Sequence, residues 1–223
     1  MKSRVAGFVF LLTLAAVEVS QAQETSLTST FGTASVDGTF SPGEWDSALR
    51  VPVFGESLPG SAAFIMNDEQ NIYFAFQAPD STLSPNDTFA VRFDNAHNGT
   101  IDVGDDEILL SPGNYRDTHY GDGYGVLDPL QSGVGGTSSN GTMNFFEVSH
   151  PLNSGDVNDI ALSAGDTVGL AFRYSLDGIA SATQTTFPPR SFSLGNRQLL
   201  FACLLYTSPS PRDATLSRMP SSA

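Results

Sequence analysis

Residues 93–107 read FDNAHNGTIDVGDDE, a run with five carboxylates, two asparagines, one histidine and two glycines. Carboxylates this close repel one another, so the run needs solvent, a cation or catalytic work. Counted from Asp94, oxygen-bearing residues fall where a twelve-residue calcium loop takes its ligands: Asp94 at position 1, Asn98 at 5, Thr100 at 7 through its carbonyl, Asp102 at 9 and Asp105 at 12. Gly99 sits at the sharp turn and Ile101 supplies the apolar peg of position 8. Ala96 at position 3 and aspartate for glutamate at position 12 depart from the pattern, and the flanks read as strands. The expected metal set is Asp94, Asn98, Thr100, Asp102, Asp105 and Asp106, with Ca2+ as the ion. A solvated acidic turn is the competing reading. Zinc is disfavoured because His97, His119 and His150 are scattered and no cysteine stands near them.

A second segment, NYRDTHYGDGYGVLDPL (114–130), mixes tyrosines with planar polar groups. Aromatic faces meet the C–H surface of sugars, and guanidinium or carboxylate groups meet their hydroxyls. Tyr115, Arg116, His119, Tyr120 and Tyr124 are the candidate ligand contacts, although a packed loop would use the same residues. Asp156, Asn158 and Asp159 form a third polar group that turn chemistry explains as well as metal does. No spacing suggests a Ser/His/Asp nucleophile. Acids clustered in one glycine-rich loop also suit a facing glycosidase pair poorly.

These residues must be positioned by short strands. AAFIMNDEQNIYFAFQA (62–78) reads as a hairpin around Asn67–Gln70. DTFAVRF (87–93), DEILL (106–110), TMNFFEVS (142–149), DTVGLAFRYS (166–175) and RQLLFA (197–202) read as further strands. No helical period is sustained, and GVGGTSSNGT (133–142) reads as a long loop. The expected fold is all-β, a single-domain antiparallel sandwich.

Both ends read differently from the middle. MKSR followed by VAGFVFLLTLAAV and a small-residue cut site describes a signal peptide over 1–22, which implies secretion to an extracellular or periplasmic space. Its apolar run of about 13 residues is shorter than the ~20 of a membrane span. Residues 203–223, CLLYTSPSPRDATLSRMPSSA, read like translated sequencing-library adapter DNA, so a different natural continuation after Ala202 is expected. Setting aside Lys2, Arg4, Arg212 and Arg218 among 10 basic residues, and Glu18 and Asp213 among 24 acidic ones, leaves a core with a formal charge of roughly −16. Such a surface disfavours nucleic acid and anionic membranes as partners.

VDGTFSPGEWDSA (36–48), followed by IMNDEQNIYFAFQAPD (65–80), FEVSHPLNSGD (146–156) and SAGDTVGLAFRYSLDG (163–178), carries a family pattern. In this order and spacing the segments resemble family 9 carbohydrate-binding modules and the related DOMON-like sandwiches. The resemblance covers residues 33–202, with 23–32 as a lead-in. It implies a jelly-roll-like sandwich with bound calcium that recognises a polysaccharide or glycan without catalysis. The founding modules clamp sugar between two tryptophans. This chain has only Trp45, which is read as a plug at the end of the sandwich. A calcium-rigidified adhesive domain, or the accessory module of a truncated glycoside hydrolase, are the other functions the pattern allows.

Overall fold

The computed structural model describes residues 27–121, 125–177 and 184–194. The expected signal peptide, the tail 203–223, the expected strand 197–202 and Tyr124 lie outside the described residues. Thirteen strands are described: β1 (Leu27–Thr28), β2 (Thr30–Phe31), β3 (Leu49–Pro52), β4 (Ala62–Asn67), β5 (Asn71–Pro79), β6 (Thr88–Asp94), β7 (Asp106–Ser111), β8 (Asn114–Tyr120), β9 (Gly125–Leu127), β10 (Val134–Ser139), β11 (Met143–Pro151), β12 (Thr167–Ser175) and β13 (Gln184–Ser193). They form two sheets, ordered β1-β13-β12-β6-β7-β8-β9 and β10-β11-β5-β4-β2, with β3 also paired to β4. Pairing is antiparallel except at β1–β13 and β2–β4. This is the expected β-sandwich.

Alternation along the strands builds the core. Phe74 and Phe76 of β5, Phe146 of β11, Phe89 and Phe93 of β6, and Phe172 and Tyr174 of β12 all point between the sheets. Phe76 and Phe89 stack across the gap with centroids 4.7 Å apart and rings 8° from parallel. Aromatic pairs of this kind add to the stabilisation their burial already supplies. The hairpin β4–β5 forms as its pattern predicts, and its turn is fastened by Asp68, whose Oδ1 accepts from the amides of Gln70 and Asn71.

Two segments differ from expectation. Residues 134–139, read as loop, form the edge strand β10 on β11. Their glycines weaken the strand signal, but close packing requires them. A Cβ on Gly136 would lie 2.4 Å from the backbone of Gly38. Residues 114–120, read as part of a candidate ligand segment and not as a strand, are strand β8, paired with β7.

Residues 33–48 strap the outer face of the second sheet. Trp45 is buried at 6% exposure against Met66, Tyr73 and Ala75, and Phe40 stacks on it at 5.9 Å. Its indole Nε1 donates to Glu147 Oε1 at 2.8 Å, and the Gly38 amide donates to Glu147 Oε2 at 2.8 Å. Trp45 is therefore a buried structural residue, but it sits beneath the strap on the outer face of the second sheet and not at the end of the sandwich.

Candidate functional site

The acidic loop 94–105 closes largely on itself. Asp94 accepts amide hydrogens from Asn98 and Gly99, while Asp105 accepts them from Asn95 and Asp102. Asn98 Nδ2 donates to Asp102 Oδ2, and the Thr100 hydroxyl lies within hydrogen-bonding distance of that oxygen. The loop reverses direction at His97 and Gly99, both at positive φ. Five of the six expected metal ligands are thus grouped within the loop. The sixth, Asp106, is not.

Asp106 opens β7 with the same parity as Ile108 and Leu110, so its side chain enters the sandwich. There it meets Asp117 of β8, Asp128 just after β9, and Asp159 of the loop before β12. One oxygen from each of these four buried aspartates lies within 4.8 Å of the others. His150 of β11 joins the group, its Nε2 3.3 Å from Asp117 Oδ2 and 3.5 Å from Asp159 Oδ2. Asp106 Oδ2 accepts from the Ile160 amide, Asp117 Oδ2 from the Ser132 amide, and Asp128 Oδ1 pairs with His119 Nδ1. Asp106 Oδ1, Asp117 Oδ1, Asp128 Oδ2 and both oxygens of Asp159 are buried without a hydrogen bond.

Buried, unpartnered carboxylate oxygens are costly, and four facing each other are more so. Burial pushes the Asp106 carboxyl up to about 8, with the charges of Asp117 and Asp159 adding to the rise. Burial also raises Asp128. For His150 burial works the other way, but the hydrogen bond to Asp117 and the fields of Asp106, Asp117 and Asp159 leave its pKa raised. Convergent oxygens of this kind fit a metal ion, and their hard chemistry matches an oxygen-seeking divalent cation.

Sequence spacing gave little notice of Asp117, Asp128, His150 and Asp159. They come from four elements, from β8 to the loop before β12. The available signal was parity: Asp117 falls between inward-facing Tyr115 and His119.

The outer face of the first sheet carries a different group. Strand register places Arg173, Ala90, Leu109 and Arg116 in one row across β12, β6, β7 and β8. Ala171, Arg92, Glu107 and Thr118 form the next. Arg92 Nε donates to the buried Glu107 Oε1, and its guanidinium lies 5.2 Å from the centroid of the Tyr120 ring. Arg173 Nη2 stands 3.7 Å from the same Glu107 oxygen. A cleft at the lower end of this face is lined by Arg116, Arg173, Thr88, Leu109, Asn114 and Ser175.

Of the expected sugar contacts, Arg116 and Tyr120 share this face. Tyr115 turns inward and donates its hydroxyl to the Ser132 carbonyl, and burial holds its phenol well above the usual range. His119 faces Asp128. A second cleft lies against the strap, lined by Phe40, Pro42, Trp45, Asp46, Arg50 and Phe64.

No family model and no curated protein matches the sequence. Solved structures do match the fold. A family 9 carbohydrate-binding module from Caldicellulosiruptor kristjanssonii in complex with cellotriose superposes with a TM-score of 0.55 at 13% identity, over 78% of this chain and 95% of that one. A module of the same family and organism in complex with glucose gives 0.53 at 12% identity, over 78% and 97%. A Bacteroides uniformis protein assigned to carbohydrate binding by inference gives 0.55 at 10% identity, over 77% and 100%. The sandwich is thus similar in fold to family 9 modules, as the sequence motifs imply.

Proposed function

We propose that the chain is a secreted, noncatalytic saccharide-binding module whose sandwich is held together by one buried calcium ion. The observation that carries the saccharide reading is the planar array on the outer face of the first sheet. Arg92, Arg116 and Arg173 present flat hydrogen-bonding groups and Tyr120 an aromatic surface, above the buried Glu107, Ala90 and Ala171. A sugar ring needs this combination, with directed polar groups at its hydroxyls and apolar surface beneath its C–H face. Modules of similar fold hold cellotriose and glucose.

The four aspartates serve the fold. At 0–9% exposure no substrate reaches them, so they act as ligands to a structural ion and not as catalytic acids. Calcium suits them because it takes several carboxylate oxygens in an irregular shell, whereas zinc favours nitrogen and sulfur. In this reading Asp94, Asn98, Thr100, Asp102 and Asp105 shape the loop that delivers Asp106.

Replacing Tyr120 by alanine removes the aromatic surface and the support of Arg92. The Tyr120→Ala protein should migrate through polysaccharide-containing native gels with roughly fivefold weaker retention, at the ~1 kcal/mol scale of an aromatic contact. Its melting temperature should stay close to wild type, because Tyr120 is half-exposed. Unretarded wild-type protein across neutral and charged soluble polysaccharides would remove the saccharide reading.

A further inference from the structure

We infer that the saccharide bound on this face carries an oxyanion, a carboxylate or sulfate group seated between Arg116 and Arg173. The inference rests on the saccharide reading above and sharpens it. Arg92, Arg116 and Arg173 stand on one sheet face, where Arg92 and Arg173 share the buried Glu107 carboxylate. Glu107 is taken mainly by Arg92, whose Nε holds the shorter contact.

Arg173 is left with a buried Nε that has no hydrogen-bond partner. Burial lowers its pKa, and the neighbouring charges of Arg92 and Arg116 push the same way. Arg116 makes no ion pair among the described residues. Two guanidiniums thus face a cleft with two positive charges and no carboxylate in its lining, in a protein whose net charge is −14. Around them stand the hydroxyls of Thr88 and Ser175 and the amide of Asn114, neutral donors that suit the remainder of a sugar unit.

A bidentate oxyanion would fill the Arg173 fork, relieve the repulsion with Arg116 and leave the Arg92–Glu107 pair intact. The acidic remainder of the surface does not forbid this. At physiological salt the screening length is about 8 Å, so the local guanidiniums dominate at contact. A neutral glucan offers them only hydroxyls.

The test is calorimetric titration of the whole calcium-loaded protein with oligogalacturonate, sulfated carrageenan oligosaccharides and cello-oligosaccharides of matched length. The wild type should bind at least one anionic series about tenfold or more tightly than the neutral one. Raising the salt from 50 to 500 mM should weaken only the anionic ligands. Arg116→Gln, at an exposed position, should remove most of that preference, weakening the anionic ligands about tenfold more than it weakens the cello-oligosaccharides. Arg173→Lys, which keeps the charge but loses the fork, should fall between the two. Binding of oligogalacturonate alone assigns a carboxylate, and binding of carrageenan alone assigns a sulfate. Preference for the neutral series, or equal binding unaffected by Arg116→Gln, would overturn the anionic specificity and leave the saccharide reading standing. Failure of all three series to bind would overturn both.

Discussion

Stripping divalent ions from the folded protein with EDTA should lower its melting temperature by roughly 10 °C. An ion that binds only the folded state adds RT ln(1 + [L]/Kd), about 4 kcal/mol at a thousandfold excess over Kd. For a chain of this size 1 kcal/mol moves the transition by ~2–4 °C. The cost without the ion is visible in the structure, where five buried oxygens of Asp106, Asp117, Asp128 and Asp159 make no hydrogen bond.

Asp117→Ala should abolish the calcium-dependent shift. Asp94→Ala should instead lower stability by ~1–3 kcal/mol, through the Asn98 and Gly99 amides it leaves unsatisfied, and keep the shift. Mg2+ should restore little, since it demands a regular octahedral shell.

The effect should also depend on pH. Burial raises the Asp106 carboxyl from 3.8 to about 8, so the ion-free folded protein holds a proton that the unfolded chain releases near pH 4. That contribution is complete below pH ~4 and is lost as pH rises through ~8, so ion-free stability falls across this window. Asp128, raised by burial, has the same sign. So does His150, whose acidic neighbours outweigh its burial. Calcium needs the ionised carboxylates, so its stabilisation should grow as pH rises. Melting curves with and without EDTA should nearly coincide at pH 5 and separate widely at pH 8. Identical curves at pH 8 would remove the ion from the account.

The second large effect is expected at Trp45. Trp45→Ala empties the space between the strap and the second sheet, and leaves Glu147 Oε1 buried without the donor that holds it. A loss of about 3–5 kcal/mol is expected, measured by urea unfolding at 25 °C. Trp45→Phe should lose less, mainly the ~1–3 kcal/mol of the unsatisfied carboxylate oxygen. Neither variant should change saccharide affinity where the fold persists, because Trp45 lies on the outside of the opposite sheet. A selective loss of binding in Trp45→Phe, with stability retained, would move the ligand to the cleft against the strap.

The strands with clean alternation were legible from the sequence. β5, β6 and β12 place bulky apolar residues at every second position, and only one face of each is buried in the core between the sheets. β10 was not legible, because Gly135 and Gly136 were selected by contact with Leu110, Tyr115 and Gly38, partners remote in the chain. The acidity of 93–107 was plain, but the destination of Asp106 depended on strand parity. One residue earlier, Asp105 stays in the loop and accepts local amides. Asp159 looked like a turn acid beside Asp156, which does accept the Asn158 amide. Its convergence with Asp106 depends on how the loop before β12 crosses the end of the sandwich. The arginine face was hidden for a related reason. Arg92, Arg116 and Arg173 are single residues in three strands, aligned only by pairing register.

Amide chemical-shift mapping on the calcium-loaded protein, titrated with the tightest-binding oligosaccharide, tests the central claim most directly. Saturable shifts should gather on β6, β7, β8 and β12, around Arg92, Glu107, Arg116, Tyr120 and Arg173. Shifts centred on Phe40, Pro42 and Arg50 at the strap, or none at saturating sugar, would contradict that claim.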